Sequence, residues 1–257
     1  HLWTACAGFT GQLPPDYVVI MFRIRWPPLP GLCIINSSIL VDPQADIYIE
    51  HGQRFVSRGG EKLEAAIMAF KVDVNGLVCA DVGASTGGFT DCLLQNGAHR
   101  VYAVDVGHGI LDWKLRKDER VVVMEKTNAR FVTNLPEMVT LITIDVSFIS
   151  LKLILPVIRE WFPNTGGAVI ALIKPQFEVD RQIAARCKGV VRDPKLHQQT
   201  VTSVLAFAQE VGFGVKGLIR SPLLGPKGNK EFLAYLIYPY TDKNELGEIV
   251  DVVVSDY

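Results

Sequence analysis

Leu77-Val-Cys-Ala-Asp-Val-Gly-Ala-Ser-Thr-Gly-Gly88 is an apolar run that turns acidic and then opens into glycines. A buried strand emerging at its carboxyl end reads this way. Asp81 marks the exit, and Gly83, Gly87 and Gly88 permit a tight turn whose backbone a ligand can approach closely. A helix expected over 88–96 would point its N-terminus at that ligand. Working outward, strands are expected at 77–82, 101–106, 121–124, 141–146 and 168–173, with helices between them, notably at 151–161. Strands alternating with helices imply parallel βαβ units joined by right-handed crossovers.

On the N-terminal side, Ser57-Arg-Gly-Gly60 leads into a helix on which Leu63, Ala66, Ile67 and Phe70 recur at helical spacing. On the C-terminal side a longer helix over 195–211 precedes two strands at 215–220 and 232–238. The Gly/Pro-rich Leu224-Gly-Pro-Lys-Gly-Asn229 between them suits a closing antiparallel pair. The fold class expected is α/β: a Rossmann-like sheet, mostly parallel with an antiparallel last strand, and helices on both faces. Three segments are expected. Residues 1–50 are irregular, apart from a turn and short strand at 41–50. Residues 51–240 form the main domain, and 241–257 an acidic, peripheral tail.

Composition narrows the class. In 257 residues, 49% are hydrophobic and 21% charged, which suits a globular chain able to bury a core. A net charge of −1 provides no global field for nucleic acid, so such contact must rest on local patches. Cys6, Cys33, Cys79, Cys92 and Cys187 show neither metal spacing nor a disulfide framework, and read as the reduced thiols of a cytoplasmic protein. No metal ligand set is expected. The apolar stretch 17–41 is interrupted by Arg23, Arg25, Pro27, Pro28 and Pro30, short of a membrane span.

A carboxylate, Asp105, stands at the next strand end, 22 residues after Gly83, where it can accept hydrogen bonds from both hydroxyls of a ribose. Gly-x-x-x-Gly-Gly is not the dinucleotide Gly-x-Gly-x-x-Gly, and no Lys-Ser/Thr follows to make a phosphate loop. A cofactor with a ribose but no pyrophosphate fits this spacing, and S-adenosylmethionine is the candidate; a nicotinamide-dependent oxidoreductase is disfavoured. A glycine turn followed by an acid is also ordinary α/β punctuation.

Four further residues bear on chemistry. Asp145 and Lys174 follow apolar strands and project from carboxyl ends that line the ligand crevice of open α/β sheets. Lys62 lies on the helix before the first of these strands, and Glu231 at the start of the last. A lone charge at a strand end is usually just solvated; two lysines and two acids on one rim are less ordinary. Methyl transfer from a sulfonium to a ribose hydroxyl needs that hydroxyl's proton removed. A lysine near a second ammonium can serve as base, carboxylates can hold both side chains, and the other ammonium can stabilise an alkoxide. Amino-group methylation typically uses an Asn/Asp-Pro-Pro-aromatic run where this chain has Asp145-Val-Ser-Phe148. Methylation at pyrimidine carbon needs a cysteine nucleophile, and Cys187 reads as a bystander.

At these residues the sequence resembles the TlyA (haemolysin A) group of FtsJ-like ribosomal RNA methyltransferases. The matching runs include Phe55-Val-Ser-Arg-Gly-Gly-Glu-Lys-Leu63, Asp81-Val-Gly-Ala-Ser-Thr-Gly-Gly88, Thr127-Asn-Ala-Arg130, Ile144-Asp-Val-Ser-Phe148, Lys174-Pro-Gln-Phe-Glu178, Gly189-Val-Val-Arg-Asp-Pro194 and Gly228-Asn-Lys-Glu-Phe232. They occur in family order over roughly 50–239. The resemblance implies S-adenosylmethionine-dependent methylation of a ribose 2′-hydroxyl in rRNA, commonly a cytidine, with ribosomal RNA or ribosomal subunits as partner. It implies a catalytic tetrad at Lys62, Asp145, Lys174 and Glu231. It also implies a cofactor site of Asp81, Gly83, Ser85, Gly87, Gly88, Asp105 on the ribose and Asn128 near the adenine.

Members of this family normally begin with an alpha-L-type RNA-binding domain, and residues 1–50 are expected to be a truncated or irregular remnant of it. That start motivates the alternative of a catalytically idle RNA- or ribosome-binding module. The loop Arg186-Cys-Lys-Gly189 is less glycine-rich than the family pattern. Arg58 and Arg192, with Arg54, Arg181, Arg186, Lys188, Lys195, Lys216, Arg220, Lys227 and Lys230, form the basic set expected to meet RNA phosphates. Only RNA offers the 2′-hydroxyl. Nothing in the sequence supports a membrane partner or a pore.

Overall fold

The computed structural model describes residues 22–24, 47–49, 54–240 and 246–255. The chain divides into two units, His1–Arg54 and Phe55–Tyr257. In the first, strands β1 (Phe22–Ile24) and β2 (Ile47–Ile49) pair antiparallel, with Phe22 opposite Ile49. The rest of the expected RNA-binding remnant at 1–50, and the expected boundary at His51, lie outside the described residues.

The second unit is built on a sheet of seven strands. These are β3 (Val78–Val82), β4 (Arg100–Val104), β5 (Val121–Met124), β6 (Leu141–Ile144), β7 (Gly167–Ile173), β8 (Gly214–Arg220) and β9 (Phe232–Tyr238). Their order is β5-β4-β3-β6-β7-β9-β8. The first five of these in space run parallel, and β9 runs antiparallel to both β7 and β8. The mostly parallel sheet with a reversed last strand is therefore present, and each expected strand is found close to its expected bounds.

Period-two alternation sorts the side chains into two layers. Cys79, Val101, Ala103, Leu141, Ile170 and Leu172 face α1 (Gly59–Phe70) and α2 (Gly88–Gln95), packing with Leu63, Ala66, Phe89 and Leu93. Ala80, Val82, Tyr102, Val104, Ile142 and Ile144 face the other way, in a cluster with Trp161, Val201, Leu205 and Ala208. Both faces are covered, as parallel strands require. Short helices α3 (Trp113–Arg116), α4 (Leu155–Ile158), α5 (Pro175–Glu178) and α6 (Arg181–Arg186) fill the connections. The long α7 (Pro194–Glu210) starts where the Asp193 carboxylate accepts the Lys195 N–H and Pro194 occupies the first turn.

Two expectations need correction. The single helix expected at 151–161 is broken into a 3₁₀ turn at Leu151–Leu153, α4, and a second 3₁₀ turn at Arg159–Trp161. Pro156 is the cause: it has no N–H to donate and its ring clashes with the carbonyl four residues back, so a helix can only start there. The acidic tail is not wholly peripheral. Its Leu246–Ser255 stretch is a helix, α8, whose Val250 and Val254 are buried in the core. Acid count alone hid the apolar residues recurring at helical spacing.

The topology determines where a ligand can sit. After β3 the chain steps outward to β4 and β5, then returns to β6 and β7 on the other side of β3. The carboxyl ends of β3 and β6 thus diverge into a crevice at the switch point of the sheet. Because β9 runs backward, its beginning arrives at the same edge.

Candidate active site

Residues far apart in sequence meet at that edge for topological reasons. Ile173 pairs with Phe232 across β7 and β9. Lys174 leaving β7 and Glu231 entering β9 are therefore antiparallel neighbours. Asp145 follows β6, which pairs with both β3 and β7. Lys62 comes from α1 on the sheet face.

The four form two ion pairs. Lys62 Nζ donates to Glu231 Oε2 at 2.6 Å. Lys174 Nζ lies 2.5 Å from Asp145 Oδ1 and donates to Ser147 Oγ at 3.0 Å. Both pairs line one cleft of roughly 420 Å³, together with Arg58, Gly83, Ser85, Gly88, Ser147 and the Leu223–Pro226 segment. Charges this shielded persist because each has an opposite partner; a lone buried ion would cost several kcal/mol. Glu231 is 1% exposed, and its Oε1 has no hydrogen-bond partner among the described residues.

Two glycines make room for this arrangement. Gly83 has φ +87°, and a Cβ there would stand 2.5 Å from the Asp145 carbonyl oxygen, so only glycine lets the β3 turn lie against the end of β6. Gly225 has ordinary φ but abuts Glu231: a Cβ would fall 2.0 Å from Oε1.

The expected cofactor residues do not all line the cleft. Gly83, Ser85 and Gly88 line the cleft. Asp105 stands next to the turn, accepting the Ser85 N–H on Oδ2 and the Gly107 N–H on Oδ1, each at 2.7 Å. A carboxylate has about four acceptor sites, so capacity for ligand hydroxyls remains. Asp81 is fully buried beneath the turn, accepting from Thr90 Oγ1 at 2.7 Å and Thr143 Oγ1 at 3.2 Å. Burial, with the nearby Asp145 charge, pushes its carboxyl up to about 7 against the two threonine hydrogen bonds. The Asn128 side chain accepts the Arg130 N–H and caps the 3₁₀ turn Ala129–Phe131. Gly87 precedes α2 with φ +98°, packed against Leu115 rather than lining the cleft.

Of the two expected RNA contacts, Arg58 is exposed and lines the cleft, while Arg192 is exposed outside its lining. The residues match the demands of S-adenosylmethionine: a turn of glycines and small side chains at the cleft wall, an acid at the adjacent strand end, and a volume within the range of small-molecule sites. Among the described residues no group of His, Cys, Asp or Glu could hold a metal ion, and no helix is long and apolar enough to cross a membrane.

Sequence reasoning missed several participants. Ser147 touches Lys174, yet nothing in Asp145-Val-Ser-Phe148 singled it out. Phe148, 89% exposed with φ +64°, packs its ring 4.8 Å from Phe177, whose own ring lies 5.9 Å from Lys174 Nζ. Glu125 anchors the loop beside Asp105. Hydrogen bonds from the Gly109 backbone, then Arg116 and the Leu111 backbone, hold its carboxyl down at about 2. The Leu223–Pro226 wall carries few polar side chains, so its place at the site left no mark in the sequence.

Known proteins share this chain's pattern over most of its length. A Mycobacterium tuberculosis protein named 16S/23S rRNA (cytidine-2′-O)-methyltransferase TlyA is 47% identical over 220 residues, covering 83% of this chain and 80% of that one. A presumed rRNA methyltransferase of Bacillus subtilis is 52% identical over 192 residues, 72% of this chain, and the match spans 66% of that protein's length. Among solved structures, a presumed hemolysin from Streptococcus thermophilus superposes with a TM-score of 0.76 at 45% identity, covering 82% of this chain and 77% of the other. A presumed S-adenosylmethionine-dependent methyltransferase from Listeria monocytogenes shares the fold at 17% identity and a TM-score of 0.52, over 74% of this chain and all of that one. The family profile of FtsJ-like methyltransferases matches residues 55–238, which contain the entire sheet and all four paired charges. This chain belongs to the FtsJ-like methyltransferase family.

Proposed function

We propose that the chain methylates a ribose 2′-hydroxyl of ribosomal RNA, in a cytidine, with S-adenosylmethionine as donor. The observation that carries this reading is the convergence of Lys62–Glu231 and Lys174–Asp145 in the cleft that the Gly83 turn also lines. The cofactor, held by the Gly83–Gly88 turn and Asp105, supplies an electrophilic methyl group on a sulfonium.

The protein's part is to prepare the acceptor oxygen. Lys174 takes the proton of the 2′-hydroxyl, and Asp145 and Ser147 hold its Nζ in place. Lys62, held by Glu231, keeps its charge and stabilises the developing alkoxide. Such stabilisation strengthens as bound RNA displaces water from the cleft. The exposed Arg58, Lys188, Arg192 and Lys227 supply cations for phosphates, and exposed Phe148 offers a ring face to an unstacked base. The names of the relatives support cytidine and rRNA. A protein with this substrate works where ribosomes are, in the cytoplasm.

The test is transfer of tritiated methyl groups from S-adenosylmethionine to unmethylated ribosomal subunits, followed by mapping of the modified nucleotide. Label at a cytidine 2′-oxygen is expected. Cofactor binding without transfer would instead favour an idle RNA- or ribosome-binding module, and label on a base would refute the hydroxyl chemistry.

A further inference from the structure

Two irregular loops meet at Asn229, two residues before Glu231. One, at 187–193, carries exposed Lys188 and Arg192, and the other, at 221–231, carries exposed Lys227. The first is not held by a strand ladder, and the second is tied at its base, where the Glu231 carbonyl accepts the Ser221 N–H at 2.9 Å. Asn229, 3% exposed, joins them. Its Oδ1 accepts the Val191 N–H at 3.1 Å, and its Nδ2 donates to the Gly189 and Pro226 carbonyls, each at 3.0 Å. The Asn229 carbonyl accepts the Gly225 N–H at 2.8 Å. On the far side, His197 of α7 places its Nε2 2.9 Å from the Val191 carbonyl oxygen.

A side-chain amide offers two donors and an acceptor with two lone pairs, and this one satisfies both loops at once. Buried and fully engaged, it acts as a strut, because its partners would be costly to leave unpaired. The strut ends at the catalytic pair. Gly225, held by the Asn229 carbonyl, abuts the Glu231 carboxylate, and Glu231 holds Lys62. A shift at Gly225 therefore reaches the Lys62 ammonium through two contacts, and one at Val191 reaches it through four, by way of Asn229.

We infer that Asn229 is a positioning residue that joins the two cation-bearing loops into one RNA-facing surface and backs the Glu231–Lys62 pair against it. This rests on the methyl-transfer reading above. The ligand is an RNA segment whose phosphates span Lys188, Arg192 and Lys227. Its seating sets the geometry of the Lys62 ammonium, while the glycine turn that holds the cofactor is built separately, from β3 and β4.

The test compares the full chain with Asn229→Ala. Methyl transfer to unmethylated ribosomal subunits, counted per S-adenosylmethionine-binding site, is expected to fall roughly 10- to 100-fold, as for a small misplacement of a catalytic group. Calorimetric affinity for S-adenosylmethionine should stay unchanged, and hydrogen exchange at the Val191 amide should speed up. Transfer within twofold of wild type overturns the inference, as does a parallel loss of cofactor affinity, which would mark general structural damage. If Asn229→Ala does not fold, Asn229→Ser is read in the same way; failure of both to fold makes the residue purely structural and also overturns it. A wild-type chain that binds cofactor but transfers no methyl group removes the underlying reading, an outcome distinct from an active wild type with a normal variant.

Discussion

The two ion pairs in the cleft look alike on paper and differ in the folded chain. Lys174–Asp145 is built from two adjacent strand ends, and its carboxylate side chain is 23% exposed. Lys62–Glu231 joins a helix to the start of a reversed strand, and its carboxylate side chain is fully buried. The first pair also has a hydroxyl neighbour in Ser147, whereas the second has Gly225 pressed against it. The Asp145 carboxylate keeps part of its surface open to solvent. The buried Glu231 carboxylate can only hold its lysine in place, while both ammoniums, 12% exposed on Lys62 and 10% on Lys174, line the cleft. Equal charges in the sequence thus acquire unequal work from their surroundings.

The largest effect should come from the accessible pair. Lys174→Ala is expected to cut methyl transfer by about 10²- to 10⁴-fold, the usual contribution of a general base, with calorimetric S-adenosylmethionine binding retained. A variant as active as wild type would reverse the assignment of roles between the two lysines. Glu231→Ala attacks the sealed pair and should act first on folding. It strands a shielded ammonium, which typically costs about 3–5 kcal/mol, readable as a lower urea midpoint. If Glu231→Ala unfolds at the wild-type midpoint, the pair is not sealed.

Gly225→Ala sharpens the contrast with a smaller perturbation. Its methyl group must displace Glu231, at about 1–3 kcal/mol of overpacking cost, and should lower transfer without touching Lys174. Crystals of the variant would show whether the Glu231 carboxylate has moved off Lys62.

The accessible pair also bears on Asp81 beneath it. In the folded chain burial pushes the Asp81 carboxyl up to about 7, against about 3.9 for a free carboxyl. Between those values the folded state keeps a proton that the unfolded state has lost. Its contribution to stability is therefore full below about pH 4 and is lost as pH rises to about 7. Urea melts across that window should show the decline, and Asp81→Asn should flatten it. Asp145→Asn removes a charge that raises the Asp81 value, so it should move the window down. The smallest effect is at Arg192: its replacement by Ala should weaken RNA binding modestly and reduce the salt slope by about one unit or less.

Much of the fold was legible because it rests on local pattern. Apolar runs bounded by glycine and acid predicted the strands of the sheet, and the 3.6-residue spacing of Leu63, Ala66, Ile67 and Phe70 predicted α1. The misreadings were local too. Pro156 broke a helix whose apolar pattern continued through it, and the acids of 241–257 masked Val250 and Val254. At the site, Lys62, Asp145, Lys174 and Glu231 were legible as charges at element ends. Ser147, Gly225 and Asn229 were not, because their importance lies in contacts with residues distant in the chain.

By itself, the sequence determined which elements form, which residues carry charge to their ends, and that a glycine turn follows the strand at 78–82. Those are matters of backbone freedom, side-chain periodicity and solvation, and each is decided within a few residues. Only the tertiary structure decided which lysine met which acid, and which acid was sealed from solvent. Pairing depends on strand order and on the reversal of β9, which brings Glu231 to the edge where β7 ends. Exposure depends on the loops that close over that edge. Both are set by packing between segments up to 169 residues apart, the separation between Lys62 and Glu231.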